Sequence, residues 1–276
     1  MKRLLLVAAR TVGLAVLGAS LLLIGCQSRL IYYPRAYSPR EEAHFLAQGG
    51  TVLSFATPEG IQRARFLPGR SPNAPVWLWC PGNAALALDY LDEARRWDPE
   101  AGWLFIDYPG YGGNPGRPSP DGVAHTLTGA VSALATHLGT THESLAPRLG
   151  AAGQSLGAAA ALIAADDLQL NRVVMVAPFT TLTEMGRRLV GWPLCHLNRH
   201  RYDNRSRLAA VTDRGGRVWI VHGVDDEVIP VSMARQLAAL APSSVRLTEV
   251  PLASHNDLWY VAPEALPQIF REAGHR

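Results

Sequence analysis

The sequence predicts an α/β fold, with a mostly parallel central sheet covered by helices on both faces. Three observations predict it. From residue 76 onward, short apolar runs alternate with helical patterns, the order that crossover helices between parallel strands produce. Runs such as Val76-Trp77-Leu78-Trp79-Cys80 are apolar throughout, as expected of strands buried on both faces. Finally, Gly153-Gln154-Ser155-Leu156-Gly157 follows the apolar run 149–152 and precedes the alanine-rich segment 158–165. A strand, a tight turn and a helix therefore meet at Ser155.

In chain order, β-rich runs at 51–56 and 62–66 flank Pro58-Glu59-Gly60, a hairpin turn. Strands follow at 76–80, 103–107, 149–152, 173–177, 218–222 and 245–250. Helical patterns cover 86–97, 122–138, 158–168, 231–240 and 263–273. The segment 180–216 is too long for a plain connection. It is expected to hold one helix and a small excursion over the site, with Trp192-Pro193-Leu194 as its apolar part. Its arginines, including Arg187, Arg188, Arg199 and Arg205, read as a solvated face.

With 276 residues, 48% of them hydrophobic and 18% charged, the chain can bury one large core. The net charge of +3 does not indicate a nucleic-acid partner: Lys2, Arg3 and Arg10 lie in the first 25 residues, where there is no acid, and the remainder has 23 basic and 23 acidic residues. Residues 1–25 read as an export segment, 26–50 as a tether and 51–276 as the folded domain. The apolar run 11–25 is short for a bilayer span. It ends in Leu23-Ile24-Gly25-Cys26, which resembles the lipobox of bacterial lipoproteins. That resemblance implies lipidation of Cys26 and a periplasm-facing, membrane-anchored protein, with Gln27 resembling an outer-membrane sorting signal. The alternative is an uncleaved signal anchor. Cys80 and Cys195 lie far apart in sequence, and no disulfide is expected.

The turn at Ser155 suggests a nucleophile. A hydroxyl attacks poorly unless a base takes its proton, and a histidine base needs an acid to hold its tautomer. Both follow later strands. The strand ending at His222 runs into Gly223-Val224-Asp225-Asp226-Glu227, and the strand ending at Val250 runs into Pro251-Leu252-Ala253-Ser254-His255. The order serine, acid, histidine is that of one large hydrolase fold. His222, which closes its own strand, reads as structural. Asp225, Asp226 and Glu227 are adjacent, and spacing does not choose among them. His196 and His200 have helical metal-ligand spacing, but no glutamate base lies between them; no metal and no cofactor are expected.

The chain resembles the α/β-hydrolase superfamily, especially its small membrane-tethered serine hydrolases, from about Leu30 nearly to the C-terminus. The resemblance is carried by the turn at Ser155, by Asp107-Tyr108-Pro109-Gly110-Tyr111-Gly112, by Ala177-Pro178-Phe179-Thr180, and by the stretch from His222 to Pro230, similar to H-G-x-x-D-x-x-V-P. It implies an α/β-hydrolase fold with at most a small cap, Ser155 as nucleophile, His255 as base and Asp226 as acid, with Asp225 second. It further implies an oxyanion site formed by the N–H of Leu156 and of Asn83, with Ala84 second; Pro81 departs from the family's histidine there. The expected activity is cleavage of small-molecule or lipid-like acyl esters or thioesters. A peptidase of the same fold and an inactive tethered protein are the alternatives. Phe179, Trp192, Leu194 and Trp259 are the expected acyl-pocket residues.

Overall fold

The sheet is opened by an antiparallel hairpin, β1 (Thr51–Thr57) and β2 (Gly60–Leu67), in a computed structural model that describes residues 2–274. Thr57 faces Gly60 across the two-residue turn Pro58-Glu59. The remaining strands are β3 (Val76–Cys80), β4 (Gly102–Ile106), β5 (Leu149–Gln154), β6 (Arg172–Val176), β7 (Arg217–Gly223) and β8 (Val245–Val250). They lie in the order β1-β2-β4-β3-β5-β6-β7-β8, antiparallel from β1 to β4 and parallel thereafter. β3 has β4 on one side and β5 on the other, so the strand order reverses there. In such a sheet the crevice beyond the carboxyl ends at the reversal is where ligands bind.

Alternation along β3 sorts its side chains between two cores. Val76, Leu78 and Cys80 pack beneath α4 (Pro120–His137) and α6 (Leu156–Asp167), a core that also includes residues of α8 (Asn204–Asp213) and α9 (Val231–Leu240). Trp77 and Trp79 face α3 (Leu91–Trp97) and α11 (Ala265–Gly274), where Phe270 meets Trp77 at a ring separation of 4.9 Å and stacks on Trp97 at 5.6 Å. Every residue of α6 from Leu156 to Ala165 is buried, which is why its sequence shows no polar face. Two short helices, α5 (His142–Leu145) and α10 (Leu258–Val261), complete the domain's connections.

The segment 26–50, expected as a tether, is mostly exposed and buries Gln27, Tyr32 and Phe45. α1 (Lys2–Ile31) ends against the domain, where Tyr32 is buried, and α2 (Pro39–Ala47) buries Phe45. α2 starts at a capping box: Ser38 Oγ accepts from Glu41 N, and Glu41 accepts from Ser38 N at 2.7 Å. Among the described residues no single helix is long and apolar enough to cross a membrane; Gly13–Leu22 and Ile24–Ile31, bent by 45°, are so only as a pair. The segment 180–216 holds two helices rather than one. α7 (Leu182–Val190) and a 3₁₀ turn at Leu194–Leu197 form the excursion, while α8 returns to cover the sheet beside α6.

Candidate active site

Ser155 is placed by close packing. A Cβ on Gly157 would come within 2.0 Å of Cys80 O, and one on Gly153 within 2.2 Å of Gly157 O, so only glycine lets α6 start this close to β3 and β5. Between them Ser155 adopts φ 54° and ψ −113°, a conformation that non-glycine residues rarely hold and that the surrounding structure must enforce. The corner lifts its side chain to the rim of the sheet. Leu156 opens α6, so its N–H has no carbonyl one turn earlier to bond.

A cavity of about 420 Å³ lies over this corner, and Ser155, Leu156, Asn83, Gln154 and His255 all line it. His255 Nδ1 lies 2.8 Å from Asp226 Oδ2. Asp226 Oδ1 accepts from Val228 N at 2.9 Å and Ile229 N at 2.7 Å. Burial alone would raise this carboxyl, but the hydrogen bonds from His222, His255 and Ile229 N outweigh it and hold Asp226 well below the usual carboxylate range. Of the three adjacent acids, Asp225 and Glu227 are exposed. Glu227 accepts instead from the backbone N–H of His255, at 3.3 Å. Among the described residues no hydrogen bond joins Ser155 Oγ to His255, although both residues line the cavity.

The loop after β3 is fixed from several sides. Tyr108 OH donates to Pro81 O at 2.7 Å, and Asn83 Oδ1 accepts from Tyr111 OH at 2.7 Å and Tyr33 N at 3.1 Å. Asn83 Nδ2 donates to Ile31 O at the end of α1. Ala84 N–H is already bonded to Asn83 Oδ1 at 3.0 Å. The N–H groups of Asn83 and Leu156, both lining the cavity, make no hydrogen bond among the described residues.

Sequence reasoning missed several participants. His222 Nε2 lies 2.8 Å from Ile229 O and 3.2 Å from Asp226 Oδ2. A carbonyl only accepts, so the proton sits on Nε2 and a second imidazole braces the same carboxylate. Gln154, beside the serine, donates to His255 O at 3.1 Å and accepts from Tyr90 OH, tying the histidine loop to β5. The acyl-pocket expectation needs correction. Phe179 lines the cavity and Leu194 an adjoining one. Trp192 is 72% exposed, and Trp259 packs edge-on against Tyr90, at 5.5 Å; neither lines either cavity. Leu30, Ile31, Met185 and Leu189 line the cavity in their place. The two nitrogens of His200 meet Tyr32 OH at 3.0 Å and Ser28 Oγ at 3.1 Å.

No family model matches the chain. It is 32% identical over 258 residues to the uncharacterized protein Rv2307c of Mycobacterium tuberculosis, covering 89% of this chain and 86% of that one. It is 28% identical over 152 residues to alpha/beta hydrolase domain-containing protein 17C of Xenopus tropicalis, covering 55% of this chain and 46% of that protein. Its structure is similar to that of the Pyrococcus furiosus esterase Pf2001, with a TM-score of 0.68 at 14% identity over 88% of this chain and 98% of the other. The chain thus belongs to one family with the mycobacterial protein and has the α/β-hydrolase fold.

Proposed function

We propose that this protein is a serine hydrolase that cleaves carboxylic esters or thioesters through an acyl-enzyme. The observation that carries the reading is the Asp226–His255 contact of 2.8 Å beside a cavity that Ser155 also lines. Ser155 Oγ attacks the carbonyl carbon as its proton passes to His255 Nε2. Asp226 accepts the hydrogen bond from Nδ1–H, which keeps Nε2 unprotonated and available, and stabilises the imidazolium that forms. The oxyanion takes the free N–H groups of Leu156 and Asn83, each worth about 3 kcal/mol in such sites. Collapse breaks the bond to the leaving group, which departs as alcohol or thiol with the proton from His255. Water, activated by the same imidazole, then releases the acid and restores Ser155. The esterase named among the structural relatives agrees with this reading. The test is turnover of p-nitrophenyl acyl esters against aminoacyl anilides by the wild type and Ser155→Ala. Ester turnover lost in the variant is expected; anilide turnover alone would move the reading to a peptidase.

For the N-terminus we infer lipidation at Cys26 after removal of residues 1–25, leaving the domain on the periplasmic side of the outer membrane. The lipobox-like Leu23-Ile24-Gly25-Cys26 supports this. Metabolic labelling with a fatty-acid analogue should mark the wild type and not Cys26→Ala; equal labelling of both would overturn it.

A further inference from the structure

Beside the Ser155 cavity lies a second one, of about 140 Å³, between the last turn of α1 and the α7 excursion. The two adjoin: Leu30, Ile31, Leu182, Met185 and Leu189 line both. Among the described residues, the second cavity's lining has no side-chain nitrogen or oxygen left unbonded for a hydrophilic ligand, and the buried thiol of Cys195 behaves as a small apolar group. Its polar lining residues are Gln27 and Asn198, and both are bonded elsewhere. Gln27 donates to Ile24 O at 2.9 Å and accepts from Arg199 N at 2.6 Å, while Asn198 bonds both backbone groups of His200, at 2.9 and 3.1 Å. The α1 wall is also fixed on two sides. Asn83 holds the backbone of Ile31 and Tyr33 on the oxyanion-loop side, and His200 and Tyr202 hold Tyr32 OH, each at 3.0 Å, on the excursion side. A chain attached to a carbonyl at Ser155 therefore has an apolar cavity adjoining the nucleophile's own, walled on one side by the end of α1.

The geometry points to this second cavity as the binding site for the aliphatic chain of the acyl group, with the end of α1 as its specificity wall. This rests on the serine-hydrolase reading above. Each methylene that moves from water into such a site is worth about four-fold in kcat/KM. The full chain should accordingly prefer p-nitrophenyl octanoate to p-nitrophenyl acetate.

Gly186 of α7 gives the test. It lines the second cavity, and a Cβ there would meet Cys195 Cβ at 3.7 Å, an ordinary contact, so a side chain can be grown at that point. Gly186→Leu should reduce the octanoate-to-acetate ratio of kcat/KM by roughly 100-fold, the value of three to four displaced methylenes. Leu30→Trp, which fills the site from the opposite and largely exposed wall, should move the ratio the same way even if the first variant folds poorly. A wild-type ratio near one overturns the proposal, as does a ratio that neither variant moves. If acetate is turned over and an ethyl fluorophosphonate labels Ser155 while the chain-length profile stays flat, only the acyl site falls. If neither occurs, the serine-hydrolase reading falls with it.

Discussion

Two buried aspartates stand on the same rim of the sheet, and their surroundings act on them in opposite directions. Asp107, just after β4, accepts from Tyr37 OH at 2.6 Å, Arg65 Nη1 at 3.1 Å and Ala87 N at 2.9 Å. Arg65 also reaches Glu42 at 2.8 Å and lies over the Tyr37 ring at 4.0 Å. Burial pushes the Asp107 carboxyl up against the pull of these partners, and none of these groups lines the Ser155 cavity. Asp226, after β7, is instead held below the carboxylate range, and one of its partners, His255, faces the cavity. The difference teaches that a carboxylate at a strand end is not functional by position alone. Asp107 clamps α2 and two loops to the sheet, and Asp226 holds an imidazole that faces the Ser155 cavity.

Substitution should separate the two, with the larger effect on activity at one and on stability at the other. Asp226→Asn is expected to reduce kcat by about 10⁴-fold, because the amide favours the wrong imidazole tautomer, with a far smaller change in the urea midpoint. Asp107→Ala leaves the Arg65 guanidinium, whose side chain is fully buried, without its buried partner. It should lower stability by about 3–5 kcal/mol, read by urea unfolding, with the kcat of the remaining folded protein close to wild type. If instead Asp107→Ala reduced kcat by orders of magnitude at full stability, the contrast between the two sites would be broken.

A smaller effect sharpens the Asp226 side. His222→Ala removes one of its two imidazole donors and should reduce kcat by about 10-fold, the scale of one hydrogen bond to a charged group, with KM little changed. His222→Gln can offer an N–H near the same place and should recover part of that loss; a purely structural histidine would show no such rescue. The smallest effect is in acid. Because the folded-state pKa of Asp226 is depressed, the stability it contributes is present above the unfolded carboxylate value of about 4 and is lost as pH falls further. The gap in urea midpoint between wild type and Asp226→Asn should therefore narrow from pH 5 to pH 3. A gap constant over that range would contradict the depressed value.

These sites differed in how far the sequence revealed them. Ser155 was legible because glycines on both sides of a strand-to-helix turn report close packing locally, and His255 because it follows a late strand. Among the three adjacent acids, only the family resemblance pointed to Asp226; the physical choice depends on which side chain turns inward, a tertiary fact. α2 had a readable start in Ser38-Pro39-Arg40-Glu41, a capping box in an otherwise polar stretch. The contacts of Asn83 with the end of α1, the brace from His222 to Asp226 and the tie from Gln154 to His255 join residues 4 to 101 positions apart, and most leave no local periodic trace. The pocket prediction failed at Trp192 and Trp259 for the same reason, since a large apolar residue does not reveal which surface it faces.

The central claim is that Ser155 is the activated nucleophile. The direct measurement is labelling of the purified full chain with a fluorophosphonate, followed by peptide mass spectrometry. The account predicts one adduct per chain, on Ser155, which disappears in Ser155→Ala and forms far more slowly in Asp226→Asn. An adduct on another residue, or undiminished labelling of Ser155→Ala, would contradict it.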